Sequence, residues 1–187
     1  MVKKLLSNRK ILILILSLST YLSGSAQNFI YKGSQKYEAT NSWKFKLNGD
    51  YWKGNPEFTV AKNNSGAYLM ATITVPFKTH YIGGILTIFL ENGKIIKCID
   101  RKIRDHYDDA SRTLYQLTKD EVELLKDSEI STIRFNILTG NSMQNESFTA
   151  SNLITYDGMQ EIYNKINKIE PKERYETDIE IKELFID

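Results

Sequence analysis

Apolar and polar residues alternate along much of the first half of the chain, a period that predicts β-strands with one face in contact with water. Trp43, Phe45, Leu47 and Tyr51 share one side of the first run. A later run places five apolar residues on one face of a strand, and Pro76 marks either the end of this strand or an edge position. These residues are Leu69, Ala71, Ile73, Val75 and Phe77. This half therefore predicts a mostly antiparallel sheet.

The segment 85–99 predicts a hairpin around Asn92-Gly93, a dipeptide that favours a two-residue type I′ turn. With that turn, Glu91 lies opposite Lys94 at the tip. The predicted faces carry Leu86, Ile88, Leu90, Ile95 and Ile99 on one side, and Ile85, Phe89, Ile96 and Cys98 on the other. Because both faces are apolar, we expect both to be covered and the hairpin to be central.

The second half of the chain adds helical periodicity. Residues 118–121 fit a capping box that starts a short helix, and residues 133–137 alternate as another strand. Apolar residues recur at helical spacing over 156–169, whereas 179–185 fits either a short helix or a strand. The predicted fold class is α+β: a mostly antiparallel β-sheet or small β-sandwich with one or two packed helices.

The first 26 residues have the composition of a signal peptide. Basic residues without an acid precede an apolar run over 11–22, and Gly24 and Ala26 are the small residues ahead of a cut before Gln27. An uncleaved anchor is the alternative, but a spanning helix needs roughly 20 mostly apolar residues. We therefore expect cleavage near Ala26, a periplasmic or extracellular location, and no stable membrane insertion afterwards.

Removal of this leader changes the charge of the chain. It takes four basic residues and no acid, which leaves 21 basic against 23 acidic residues, a net charge of about −2 instead of +2. Such a balance does not favour nucleic-acid binding. The remaining chain suffices for one ordinary core. We interpret 27–42 as a polar lead-in arm and 43–187 as a single α+β domain.

His106 is the centre of a candidate catalytic site. Asp105 and Asp108 flank it within 100–109, where acidic and basic residues interleave. A carboxylate beside an imidazole would suit a secreted hydrolase, whereas a solvated loop that neutralises its own charge is the simpler interpretation. His80 and His106 lack the spacing of a zinc site, so we predict no metal and no cofactor.

Cys98 is the only cysteine, which excludes an intramolecular disulfide. A nucleophilic role would require its thiolate. Its predicted place on an apolar strand favours a buried thiol instead, because desolvation raises a thiol pKa.

Asp50, Tyr51 and Trp52 form the candidate ligand-binding site. Trp52 breaks the alternation of its strand and could expose a ring that stacks on a sugar, whereas Tyr51 also fits the core side. We therefore predict an exported non-catalytic binding or envelope-associated module with a protein or glycan partner. The secreted hydrolase and a structural or assembly component of the cell envelope are the alternatives.

Overall fold

The computed structural model describes residues 28–49, 54–139, 142–155, 163, 165–167 and 173–186. Its strands are β1 (Asn28–Lys32), β2 (Gln35–Ala39), β3 (Trp43–Lys44), β4 (Lys46–Leu47), β5 (Glu57–Asn63), β6 (Gly66–Thr74), β7 (His80–Leu90), β8 (Ile95–Cys98), β9 (Ile103–Tyr107), β10 (Ala110–Thr118), β11 (Ile130–Thr139) and β12 (Ser142–Ser151). The helices whose bounds are described are α1 (Lys119–Asp127) and α2 (Thr177–Leu184). The chain is thus mostly antiparallel sheet with a few helices, as predicted.

The strands form two sheets. Sheet A has seven strands in the order β1-β2-β5-β6-β10-β9, with β3 also pairing with β5. Sheet B has five strands in the order β4-β12-β11-β7-β8. The residues interpreted as a lead-in arm include β1 and β2, a hairpin of sheet A that continues onto β5 at Ala39 and Ala61.

One apolar core joins the inner faces of both sheets. Trp43 and Phe45 are fully buried, and the ring of Phe58 in sheet A lies 6.3 Å from that of Phe135 in sheet B. The predicted inward faces of β6 and β11 are buried as well. Phe77 is the exception and is 64% exposed, since β6 has already ended at Thr74.

The capping box at the start of α1 is confirmed. The Thr118 hydroxyl accepts from the Glu121 amide at 3.3 Å, and the Glu121 carboxylate accepts from the Thr118 amide at 2.7 Å. The helix ends at Asp127 with Ser128 as its C-cap, and it buries Val122 and Leu125. The predicted helix over 156–169 lies largely outside the described residues; Tyr163 and 165–167 are described and are helical.

The C-terminal segment that fitted either helix or strand is helix α2. Ile181 of this helix is fully buried in the core. Buried Asn152 binds the chain just before α2, because its amide group donates to the Tyr175 carbonyl and accepts from the Tyr175 amide, both at 2.9 Å. The Thr177 hydroxyl also accepts from the Ile130 amide at 2.9 Å. These bonds fix α2 against the ends of β11 and β12.

The predicted register of the β7–β8 hairpin is wrong by one residue. Ile88 pairs with Ile96, and the Leu90 amide donates to the Lys94 carbonyl, so the loop has three residues with Gly93 at φ 81°. Three-residue loops of this kind end in a left-handed position that glycine occupies without strain. The Asn92 carboxamide stabilises this loop by accepting from the Lys94 amide at 3.0 Å.

This slip also corrects the predicted faces of the hairpin. Ile96 and Cys98 join the inner face, whereas Ile85 and Ile95 point outward and are 56% and 52% exposed. A shift of one residue moves every side chain of a strand to the opposite face. The hairpin is not central either, because β8 forms an edge of sheet B.

β7 has a bulge at Gly83-Gly84. The register of β7 against β11 shifts there, and Gly84 has φ 72°. The Asp100 carboxylate accepts from the freed Gly84 amide at 2.9 Å. No helix among the described residues has the length and apolarity that a membrane span requires.

Candidate functional site

Sheet A curls so strongly that its two edge strands approach each other across its outer face. In a flat sheet, β1 would lie about 14 Å from β6, at three strand spacings. Instead, Lys32 on β1 donates to the Tyr68 hydroxyl on β6 at 2.9 Å. Ile30 on β1 also shares a small apolar cluster with Leu114 on β10 and Ile103 on β9. The outer face of sheet A is therefore concave.

A cavity of about 740 Å³ lies in this concave face, within the range typical of ligand pockets. We call it the groove. β1 borders it on one side and β9 on the other, and the outward side chains of β5, β6 and β10 form its floor.

Two rows of side chains cross the floor, each set by the strand registers. The first row is mainly apolar and contains Thr59, Met70, Leu114 and Ile103. The second row lies two residues further along each strand, is polar, and contains Glu57, Thr72, Arg112 and Asp105. All eight residues line the groove.

The charged groups of the second row have no ion-pair partner among the described residues. The Glu57 carboxylate accepts from the Ser42 hydroxyl at 3.3 Å. The Arg112 guanidinium lies 4.6 Å from the centre of the Tyr107 ring. The row thus offers a cation between two carboxylates to a ligand in the groove, because Arg112 lies between Glu57 and Asp105 in the strand order.

Both borders of the groove are strand edges. Residues 28–33 of β1 and its turn, and 103–105 of β9, line the groove consecutively. Neighbouring residues of a strand point to opposite faces, so a consecutive run indicates that the edge of the strand, with its backbone, faces the cavity. In the described part of the chain, β1 pairs only with β2 and β9 only with β10.

A second cavity of about 890 Å³ lies beyond the β1–β2 hairpin, beside α1. The strands that line it are β2, β5 and β6, and β2 pairs with β5 only at Ala39 and Ala61. Residues 35–38 of β2 line this cavity consecutively, and among the described residues their strand partners lie only in β1.

The structure separates the members of the predicted His106 site. Asp105 faces the groove, whereas His106 points to the opposite side of β9 and its Nε2 donates to the backbone carbonyl of His80 at 2.8 Å. Asp108 lies in the exposed β9–β10 turn with φ 51°. This geometry does not assemble a carboxylate and an imidazole into one acid–base pair.

Asp100, also part of that acidic stretch, is engaged in the fold. One of its oxygens accepts from both the Gly84 amide and the Arg104 guanidinium, at 2.9 and 2.8 Å. The Arg104 guanidinium in turn lies 4.3 Å from the centre of the Tyr81 ring. This largely buried ion pair holds the bulge of β7 against the start of β9.

The candidate ligand-binding residues Asp50, Tyr51 and Trp52 lie outside the described residues. Cys98 is buried, as predicted, and burial raises the pKa of its thiol to about 12. Its thiol is therefore protonated at neutral pH and unsuited to nucleophilic attack. Within the part of the chain that the structure describes, no group of three or more His, Cys, Asp or Glu side chains is placed to hold a metal ion.

Apart from Asp105, which was a candidate for a different site, the residues that line the groove were not identified from the sequence. Period-two alternation does place Arg112 and Leu114 on one face of a strand. It does not show that Glu57 and Asp105, from strands distant in sequence, lie in the same row. Comparison of the chain with family models, with curated proteins and with solved structures finds no match.

Proposed function

We propose that this chain is an exported, non-catalytic binding module and that the groove of sheet A is its ligand site. The observation that carries the proposal is the groove itself: a concave cavity of about 740 Å³ with an apolar row beside a charged row. Ligand sites combine apolar lining with a few polar groups that orient the ligand. The predicted leader over 1–26 is the basis for export.

The geometry around the histidines favours binding over hydrolysis. General acid–base catalysis needs the acid and the base within reach of one substrate. Asp105 and His106 lie on opposite faces of β9, and the Nε2 hydrogen of His106 is used by the His80 carbonyl.

Arg112 provides a direct test, and Arg134 provides a matched control. Each is an arginine on a strand whose guanidinium lies over an aromatic ring, at 4.6 Å from the ring centre for Arg112 and 5.3 Å for Arg134. Arg112 lines the groove, whereas Arg134 lies on the outer face of sheet B, where it pairs with Thr87 of β7. Loss of one central binding arginine typically costs more than about 1 kcal/mol.

The experiment expresses the tagged full chain and the variants Arg112→Ala and Arg134→Ala in the native host. Proteins recovered from envelope and medium are identified, and a glycan array is probed in parallel. We expect a protein or glycan to be bound by the unchanged chain and by Arg134→Ala, and about tenfold less by Arg112→Ala. Equal binding by all three chains, or binding of neither a protein nor a glycan, would contradict the proposal.

A further inference from the structure

We infer that the ligand of the groove is an extended polypeptide segment of another protein, which adds a strand to sheet A along the edge of β9 that borders the groove. The inference rests on the proposed binding function and names the class of ligand. It follows from the backbone that borders the groove and from the spacing of the two floor rows.

The backbone of β9 provides the first part of the argument. In an antiparallel pair, alternate residues turn their N–H and C=O groups away from the partner strand. Since β9 pairs only with β10 among the described residues, those groups of β9 point into the groove. Such an edge is a template for strand addition, in which main-chain hydrogen bonds supply affinity.

The opposite border strengthens this assignment. β1 presents its own edge to the same cavity, and its residues 28–33 line it without interruption. A segment placed beside β9 would therefore lie between two strand edges. Closure of sheet A around the inserted strand would satisfy backbone groups that otherwise bond to water.

The floor rows define which side chains the segment carries. Residues i and i+2 of a strand point to the same side and lie about 6.8 Å apart. The two floor rows have this same separation, because Leu114 and Arg112 are two residues apart on β10 and Ile103 and Asp105 are two residues apart on β9. We therefore expect an apolar side chain at one position and a polar or charged side chain two residues away.

The floor favours a polypeptide over a glycan. Sugars bind by stacking on exposed aromatic rings, and neither floor row contains an aromatic residue. At the rim, the ring of Phe29 is covered by the Lys36 ammonium group, 3.4 Å from its centre. Tyr31, 67% exposed, is the rim ring on which a sugar could stack, but it stands apart from the floor rows. The polar backbone edges, by contrast, match another backbone.

The test uses a random library of heptapeptides displayed on phage and selected on the tagged full chain. Each enriched peptide is synthesised with one N-methyl group at each backbone amide in turn. We expect the affinity to fall about tenfold or more at every second amide and to change little at the amides between. Arg112→Ala should weaken binding of the unmethylated peptide, and Arg134→Ala should leave its affinity unchanged.

Several results would overturn the strand assignment. These are no enriched peptide, methylation effects without a period of two, or equal binding by Arg112→Ala. If the chain binds a glycan but no peptide, and Arg112→Ala abolishes the glycan binding, the proposed binding function stands and the added strand is ruled out. If the unchanged chain and Arg134→Ala are dimers and Arg112→Ala is a monomer, the groove binds a second copy of this chain instead of a partner protein.

Discussion

Cys98 and Tyr115 are buried side chains whose protonated forms the core favours. Burial raises the pKa of both groups, and the Asp100 carboxylate adds a smaller upward contribution for Tyr115. The prediction that Cys98 is buried is confirmed although its predicted strand register is wrong. The burial of Cys98 was predictable because apolar residues surround it in either register. The identity of the residues that it contacts was not predictable, because that depends on the register.

We predict that the free energy of unfolding falls as pH rises above about 9. The folded chain keeps the Cys98 thiol protonated up to a pKa of about 12, whereas the unfolded chain ionises it from its ordinary value of 9.0. The unfolded state then binds fewer protons, so one such group removes up to about 1.4 kcal/mol per pH unit in this window. Urea unfolding at a series of pH values measures the slope.

Cys98→Ala is the control for this alkaline effect. Between about pH 9 and 10, the free energy of unfolding of this variant should fall less steeply with pH than that of the unchanged chain. At higher pH, ionisation of Tyr115 adds to the slope of both. Identical slopes would show that the thiol ionises equally in the folded and unfolded chains.

At the scale of elements, the β7–β8 hairpin shows what local sequence cannot decide. Asn92-Gly93 is compatible with a two-residue and with a three-residue loop. Both registers place apolar side chains on the inner face, because each face of the hairpin is apolar. The choice depends on packing against β11 and β10, which are remote in sequence. The capping box of α1 was predictable because its partners lie three residues apart.

Gly66 lies at the start of β6, close to the backbone at the end of β10 and the start of α1. A Cβ atom there would lie 2.3 Å from the Leu117 carbonyl oxygen, and φ is 138°. We predict that Gly66→Ala lowers the free energy of unfolding by about 2 to 5 kcal/mol, since it combines backbone strain with overpacking. Urea unfolding measures the change.

Gly33→Ala is the matched control for the close approach at Gly66. Gly33 also has a positive φ, 61°, but a Cβ atom there would have no neighbour within 4 Å. The free energy of unfolding of Gly33→Ala should therefore fall by only about 1 to 2 kcal/mol, because of backbone strain. If both variants lost the same amount, the close approach at Gly66 would contribute nothing.

The groove likewise could not be derived from local patterns. Alternation identifies the outward face of each strand, but the rows need the order of β5, β6, β10 and β9 in the sheet. They also need the curl of sheet A, which depends on contacts such as Lys32 with Tyr68. These contacts join residues far apart in the chain, and the sequence carries no separate signal for them.

At the scale of the whole molecule, a buried polar contact holds the C-terminal segment in place. Asn152 bonds to both backbone groups of Tyr175 and donates to the Ile130 carbonyl at 2.9 Å. We predict that Asn152→Ala destabilises the fold by about 2 to 4 kcal/mol, because it leaves buried backbone groups unsatisfied. Hydrogen exchange should show the largest loss of protection in α2.

Asn64→Ala is the control, since Asn64 is exposed in the β5–β6 turn. It should change stability by no more than about 0.5 kcal/mol. Equal exchange of α2 in both variants would show that Asn152 does not hold this segment.

The position of α2 also sets an order of events during synthesis. Ile181 fills part of the core, and the Tyr175 ring stacks on Phe45 at 6.0 Å. Both residues are made after the strands that they cover. A nascent chain therefore exposes an unfinished core until α2 leaves the ribosome, and during that interval it is a substrate for chaperones.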